Sequence, residues 1–351
     1  MELHDFWFFL ICVLWSGYFV LEGFDFGVGM LIPVLGRSEE DRGTLLGTIG
    51  PVWDGNEVWL VTAAGATFAA FPQWYATMFS GFYIALLLVL VLLIVRVVSF
   101  EWREKVDSDR WQGVWTGANV VASYGIPLLW GIALTSLLAG VPVGEDKEFT
   151  GNVFDLFSWY SVLGGVAFMA LFAWHGSVFV TLRTTGAMRE RAHHLSLRLA
   201  PFSVMLTIAF LVATLWTGVD ANDKGLVGGL VIIPLAVAAL LVAWFMAGRR
   251  REGVAFASTC VAIVLSVTLL FVELFPRVMV SSTDFAWSLT TSNASSSHYT
   301  LVFMTIVALV MTPVVLLYQG WTYYGITARL GQVGPAKHPI DPMAGKPKRD
   351  R

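Results

Sequence analysis

The chain has 351 residues, of which 56% are hydrophobic and only 13% are charged. A soluble domain usually has about 25% charged residues, so this composition excludes a soluble enzyme and a disordered protein. The formal net charge of −3 provides no basic surface for nucleic acid. Cys12 and Cys260 belong to no zinc or heme-attachment motif. The composition therefore predicts an all-α integral membrane protein.

Long apolar segments predict nine transmembrane helices in a single polytopic membrane domain that spans residues 1–330. Each segment reaches or exceeds the roughly 20 residues that a helix needs to cross the hydrocarbon core. In chain order, the segments are about 6–33, 50–71, 75–95, 113–139, 156–182, 199–219, 225–248, 253–273 and 299–328.

The basic residues predict the orientation of these helices. With the N-terminus outside, the cytoplasmic segments contain all but three of the 22 Lys and Arg residues, the exceptions being Lys147, Lys224 and Arg277. This distribution follows the positive-inside rule and places the C-terminus in the cytoplasm. Residues 331–351 are rich in Gly, Pro and Lys, and they predict a disordered basic cytoplasmic tail.

The predicted spans contain five charged residues, and all five are acidic. A carboxyl group within a span is costly, and it marks a candidate functional site. By the same boundaries, no basic residue lies within a span to pair with them. The five are Glu22, Asp25, Asp54, Glu57 and Glu273.

Four of these acids lie on the first two predicted helices. Glu22 and Asp25 are three residues apart, as are Asp54 and Glu57, so each pair shares one face of a helix. A short inner loop makes the two helices an antiparallel hairpin, in which Asp54 lies about 6 Å and Glu22 about 17 Å from the cytoplasmic surface. The four acids therefore predict a ladder of carboxyl groups for proton transfer. An alternative is that Asp54, like Glu273, faces the headgroups at a helix end.

Three histidines are candidate heme ligands. His175 lies in the middle of the fifth span, whereas His4 and His298 lie near the outer surface. His175 also fits a hydrogen bond to a neighbouring helix, which is the more common function of such a residue. No second His or Met has the spacing of a clear ligand pair, so the sequence leaves cofactor-binding residues unassigned and predicts no metal site.

Two glycines predict close helix packing beside Asp25. Gly23 and Gly27 form a GxxxG step, which allows another helix to approach the first one.

Several motifs resemble subunit II of the cytochrome bd-type quinol oxidases. The most specific is WDGNEVWL at 53–60, and EGFDFGVG at 22–29 also matches. The resemblance extends from residue 6 to about residue 328. The further matching segments are LGR at 35–37, FSGFY at 79–83, TGNVF at 150–154, FPRVMVSS at 275–282, SLT at 288–290 and NASS at 293–296.

This resemblance implies a fold and a partner. The nine helices would form two four-helix bundles plus one peripheral helix, paired with subunit I as a heterodimer in a prokaryotic cytoplasmic (inner) membrane. Subunit I would bind heme b558, heme b595 and heme d and oxidise quinol, and the complex would reduce O2 to water. The resemblance does not decide whether the complex also contains small accessory subunits or a structural quinone.

The resemblance also implies functions for single residues. Subunit II would support assembly and line a cytoplasmic proton pathway, with Asp54 near the subunit interface and Asp25 in the GFD motif. Arg96 and Glu101 would lie at the cytoplasmic mouth. Relatives can have Gln at the position of Glu57.

Two other functions fit parts of the sequence: a transporter fits the ladder of carboxyl groups, and a structural scaffold fits the composition. A proton-coupled secondary transporter would use the same acids, although Pro127, Pro201, Pro234 and Pro313 show no obvious repeat between two halves. A purely structural membrane scaffold would leave the deep acids unexplained.

Overall fold

The computed structural model describes residues 2–222, 227–325 and 329–330. Within these ranges the chain forms eleven α-helices and one antiparallel two-stranded sheet. The elements are α1 (Leu3–Leu35), α2 (Glu39–Ile49), α3 (Trp53–Ala70), α4 (Pro72–Gly81), α5 (Tyr83–Trp102), α6 (Asp109–Ala139), α7 (Trp159–Arg183), α8 (Gly186–Asn222), α9 (Val227–Gly248), α10 (Glu252–Leu274), β1 (Arg277–Met279), β2 (Leu289–Thr290) and α11 (His298–Gly325).

Eight of the described helices are long and apolar enough to cross a membrane, which confirms an all-helical, multi-pass membrane protein. The eight are α1, α5, α6, α7, α8, α9, α10 and α11. The second predicted span forms α3, which is not among them. Its first two turns contain Asp54, Asn56 and Glu57, and these polar residues lower its mean hydropathy.

Three predicted boundaries differ from the structure. The inner loop after α1 is not a simple loop, because it contains α2. The span predicted at 75–95 is two helices that meet at Phe82, and α5 continues to Trp102. The span predicted from residue 199 begins at Gly186, so the basic segment before it is helical.

Helix α1 is the central helix of the fold, since it packs against α3, α6, α7 and α10. Its contact with α7 is very close at Gly27. A Cβ atom at Gly27 would lie 2.0 Å from the carbonyl oxygen of Phe172 and 2.8 Å from Cα of Gly176. The predicted GxxxG packing is confirmed there, and α7 is the partner helix.

At the end of the molecule where α1 begins, hydrogen bonds join the segments that connect the helices. Thr291 donates a hydrogen bond to Asp5 (2.9 Å), and the backbone N–H of Ser296 donates to the carbonyl of Ala70 (2.8 Å). Thr77 donates to the carbonyl of Lys147 (2.7 Å). The strands β1 and β2 also belong to this end.

Ion pairs connect the segments at the opposite end. Arg191 of α8 pairs with Asp41 of α2 at 2.5 Å, and Arg189 of α8 pairs with Glu252 of α10 at 2.5 Å. Two further contacts join this end: Glu39 of α2 pairs with Arg103 after α5, and the N–H of Leu330 donates to the carbonyl of Arg183.

Candidate functional site

The centre of the candidate site is a buried ion pair between α1 and α5. Nη1 of Arg96 lies 2.8 Å from Oε2 of Glu22, and both side chains are completely buried. The prediction that no basic residue lies within a span to pair with the acids is therefore wrong. The sequence places Arg96 at the end of an apolar segment, where it is counted with the cytoplasmic loop, but α5 continues for almost two turns beyond it.

Aromatic rings surround the Arg96 guanidinium. It lies 4.7 Å from the ring centre of Phe26 and 5.4 Å from that of Phe100. Such contacts stabilise a cation, and they exclude water from it. The guanidinium also interacts electrostatically with Asp25 and Glu57, in addition to Glu22. One buried cation is therefore shared by three of the predicted acids.

Asp25 lies at one end of a hydrogen-bond chain that connects three helices. Nδ2 of Asn56 donates to Oδ2 of Asp25 at 2.8 Å. Oδ1 of the same amide accepts a hydrogen bond from the hydroxyl group of Tyr323 at 2.6 Å. Asp25 and Asn56 are completely buried, and Tyr323 is half-buried. The chain thus connects α1 to α11 through α3.

The cluster retains further hydrogen-bonding capacity. Among the described residues, Oε1 of Glu22, Oδ1 of Asp25 and Oε2 of Glu57 are buried and accept no hydrogen bond, and Nε and Nη2 of Arg96 donate none. Leaving buried polar atoms unpaired is unfavourable, so these atoms are available for further hydrogen bonds within the cluster.

The other predicted acids lie farther from this centre. Asp54 is exposed in the first turn of α3, and Glu57 is half-buried three residues later. Glu57 interacts electrostatically with both Arg96 and Asp54. Glu101 is exposed near the end of α5. The structure therefore groups Glu22, Asp25 and Glu57 around Arg96, with Asp54 at the exposed rim and Glu101 apart from the group.

Glu273 lies away from this cluster. Its side chain is buried, and it packs against Gly218 of α8, where an added Cβ atom would lie 2.5 Å from Cβ of Glu273. This burial disfavours the interpretation that Glu273 faces the headgroups.

His175 does not fit a heme ligand. Its Nδ1 lies 2.6 Å from Oγ1 of Thr259, and its Nε2 lies 3.2 Å from the carbonyl oxygen of Val20. The ring also stacks on Phe256, with 4.7 Å between ring centres. Because an axial ligand needs a free ring nitrogen, this arrangement favours the alternative interpretation, in which His175 hydrogen-bonds to a neighbouring helix.

The other two histidines lie at or near the surface of the described chain. His4 lies 3.5 Å from the carboxyl groups of both Glu2 and Asp5, and His298 is exposed at the first residue of α11. In the part of the chain that the structure describes, no group of three or more His, Cys, Asp or Glu side chains could hold a metal ion.

Comparison with known proteins gives a consistent result over almost the whole chain. The family described as cytochrome bd terminal oxidase subunit II matches residues 3–326. The chain is 43% identical over 339 residues to the cytochrome bd ubiquinol oxidase subunit 2 of Bacillus subtilis, covering 95% of this chain and 98% of the relative. It is 35% identical over 360 residues to the cytochrome bd-I ubiquinol oxidase subunit 2 of Escherichia coli K12, covering 92% and 94%.

A solved structure shows the same fold. A chain in the bd oxidase from Geobacillus thermodenitrificans superimposes with a TM-score of 0.70 at 18% sequence identity, covering 93% of this chain and 98% of that chain.

Proposed function

The chain belongs to the cytochrome bd terminal oxidase subunit II family, and on this premise we propose how its buried carboxyl groups serve the enzyme. Membership makes the chain a subunit of a quinol:O2 oxidoreductase, a complex that contains hemes and a subunit I. The family resemblance predicted from the motifs is confirmed, and the transporter alternative has no support.

We propose that this subunit carries protons from the cytoplasm towards subunit I, where the reduction of O2 to water consumes them. The observation that supports this function is the grouping of Glu22, Asp25 and Glu57 around one buried arginine, with Asp54 at the exposed rim. Replacing a buried ion pair with apolar side chains of similar volume is often neutral or stabilising. Stability alone therefore does not account for this cluster.

The acids have different functions along this path. Asp54 takes up protons at the rim, and Glu57, one turn further into the same helix, passes them inward to Asp25. Glu22 holds Arg96 in place through the ion pair of 2.8 Å. The guanidinium stabilises the ionised form of its neighbours, so a carboxyl group that receives a proton can release it again. Glu101 attracts protons at the cytoplasmic mouth.

The remaining parts of the proposal concern the assembly. Heme b558, heme b595 and heme d bind to subunit I, which also oxidises quinol. The hydrogen bonds on both ring nitrogens of His175 support the binding of the hemes by subunit I rather than by this chain. We further propose two four-helix bundles plus the peripheral α11, in a prokaryotic cytoplasmic membrane with the N-terminus outside. Residues 331–351, the predicted disordered tail, lie outside the described residues.

The substitution Asp54→Asn tests the proton pathway. It preserves the size of the side chain but removes the titrating proton. We expect a complex with normal heme content whose quinol oxidase turnover falls about tenfold or more, because a positioned proton-transfer group contributes at least this much. Heme content is measured from the optical spectrum and turnover from oxygen consumption.

The matched control is Asp107→Asn, which removes an exposed acid between α5 and α6 and should leave turnover unchanged. Normal heme content with full turnover of Asp54→Asn over the whole pH range would refute the function of Asp54, and would leave Glu57 or a path within subunit I.

A further inference from the structure

The side chain of Asn56 connects the predicted proton carrier Asp25 to a tyrosine of the peripheral helix. Its two hydrogen bonds, of 2.8 Å to Asp25 and 2.6 Å to Tyr323, are short and use opposite ends of one amide group. The partners come from α1, α3 and α11, and Tyr323 is 267 residues from Asn56 in sequence. Tertiary packing, rather than local chain geometry, therefore brings the three groups together.

The direction of these hydrogen bonds decides what Asn56 presents to Asp25. An amide has an oxygen that only accepts and a nitrogen that only donates. When the Tyr323 hydroxyl donates to Oδ1, the NH2 group must point to Asp25. Asp25 then receives an N–H donor, which favours its ionised form. The hydroxyl group also polarises the amide, so the bond to the carboxylate is strengthened.

Tyr323 is distinguished from the tyrosines beside it on α11. Tyr318 is 63% exposed and Tyr324 is 78% exposed, whereas the hydroxyl of Tyr323 reaches a completely buried partner. Among the described residues, the only acceptor near Nδ2 of Asn56 besides Asp25 is the carbonyl of Leu21, at a long 3.5 Å. Without the Tyr323 hydroxyl, the orientation of the amide would depend on Asp25 and this weak contact.

We infer that Tyr323 is a positioning residue that sets the proton affinity of Asp25 through the Asn56 amide. This inference rests on the proposed function for the importance of Asp25 in turnover, but the three-residue connection itself does not. It assigns α11 a function in proton transfer, although most of that helix lies on the outside of the chain.

Other charged and titratable groups also act on Asp25, and they remain in place when Tyr323 is changed. Glu22 lies on the same helix, Glu57 on α3 and Arg96 on α5, and all three interact electrostatically with Asp25. On α7, His175 is occupied by Thr259 and Val20. Tyr323 itself also interacts electrostatically with Asp25. A change in Asp25 after loss of the hydroxyl group is therefore assigned to the Asn56 connection only if it disappears in an Asn56→Ala background.

The test is Tyr323→Phe in the complete complex, with Tyr324→Phe as the matched control on the same helix. Phenylalanine retains the ring and its packing but cannot donate to Asn56. We expect the acidic limb of the pH–turnover profile of Tyr323→Phe to move up by about half to one pH unit, the size expected for weakening one hydrogen bond to a charged group. The control should keep the wild-type profile.

An infrared titration provides a measurement that does not depend on turnover. The carbonyl band of protonated Asp25 is identified as the band that Asp25→Asn lacks, and its midpoint is followed with pH. In Tyr323→Phe this midpoint should also move to higher pH. In an Asn56→Ala background, Tyr323→Phe should cause no further shift, since the connection is already broken.

The outcomes separate this inference from the proposed function. If Asp25→Asn retains full turnover, the proposed function of Asp25 fails, but the infrared midpoint still tests the connection. If Tyr323→Phe has the same infrared midpoint and pH profile as Tyr324→Phe, the inference is overturned. An equal shift in the Asn56→Ala background would also overturn it, because Tyr323 would then act by another route.

Discussion

At the scale of single residues, the ion pair between Arg96 and Glu22 controls the energetics of the site. Two charges removed from water are costly to bury, and their attraction only partly offsets that cost. Removing one partner is worse, since it leaves the other charge buried and unpaired. The pair therefore contributes little net stability, but the removal of either member alone should destabilise the protein.

The substitution Arg96→Met tests this dependence. We expect it to lower the free energy of unfolding by about 3–5 kcal/mol, because the Glu22 carboxyl group loses its buried partner. The measurement is chemical unfolding of the purified complex. The matched control is Arg110→Met, which removes an exposed arginine at the start of α6 and should change stability by less than about 0.5 kcal/mol.

Replacing both partners, with Arg96→Met and Glu22→Gln together, should recover part of the lost stability. Equal unfolding of Arg96→Met and Arg110→Met would contradict the importance of the buried pair.

The sequence identifies the acidic residues of the site better than their partners. Charges within apolar segments are conspicuous, so Glu22, Asp25 and Glu57 could be found without a structure. Hydropathy alone does not show where α5 ends, so it places Arg96 in the cytoplasmic loop. Asn56 and Tyr323 are neutral, and their contact depends on how α11 folds back against α3, which no local pattern of the chain contains.

At the scale of helices, α1 and α7 pack closely at Gly27, two residues after Asp25. Gly27 on α1 faces Gly176 on α7, and a Cβ atom on either glycine would lie under 3 Å from the backbone of the other helix. The glycine spacing in the sequence predicts such a contact. It does not identify α7 as the partner, because glycines that permit close approach are also present on other helices.

The substitution Gly27→Ala tests this contact. The added methyl group would lie 2.0 Å from a backbone oxygen of α7, so the two helices must separate. We expect a loss of about 1–3 kcal/mol of stability, which is typical of overpacking. The control is Gly117→Ala in α6, where the structure places no atom within 4 Å of the added Cβ.

Alanine is a better helix former than glycine, so the control should be neutral or slightly stabilising. Thermal unfolding of the complex measures both variants, and equal melting of the two would contradict the close-contact interpretation.

Helix α2 shows a second limit of sequence patterns at this scale. Its mean hydropathy is too low to predict a span, so hydropathy alone predicts a loop at this position. Its start nevertheless has the features of a helix: Ser38 accepts a hydrogen bond from the N–H of Asp41 at 3.1 Å, and acidic residues occupy the first turn. The ion pair between Asp41 and Arg191 then holds α2 against α8.

At the scale of the whole molecule, the acids that we assign to proton uptake lie on α3, which is not among the eight helices apolar enough to cross a membrane. In α3, Asp54 is exposed and Glu57 is half-buried. Charged residues within a membrane face protein or a water-filled cavity. Under the proposed function, subunit I would provide such a protein surface, and α3 would then not need to be apolar enough to face lipid.

The contacts at the two ends of the molecule bear on the proposed number of crossings. The two ends contain separate sets of contacts: Asp41 with Arg191 at one end, and Asp5 with Thr291 at the other. Helix α3 begins after α2, which belongs to the first end, and it finishes at Ala70, which contacts Ser296 at the second end. This arrangement favours nine crossings, with α4 and α5 together as one.

The parity of the crossings provides the sharpest test of the topology. Nine crossings place the two ends of the chain on opposite sides of the membrane, whereas eight would place them on the same side. A reporter that is active only in the cytoplasm should be active when fused after Arg329 and silent when fused after Glu148, between α6 and α7. If the same reporter fused before Leu3 is silent, so that the N-terminus is outside, a silent fusion at Arg329 together with an active one at Glu148 would mean that α3 does not cross. The acids of α3 would then have no route into the membrane. The nine-helix topology and the proposed proton uptake through Asp54 would both be refuted.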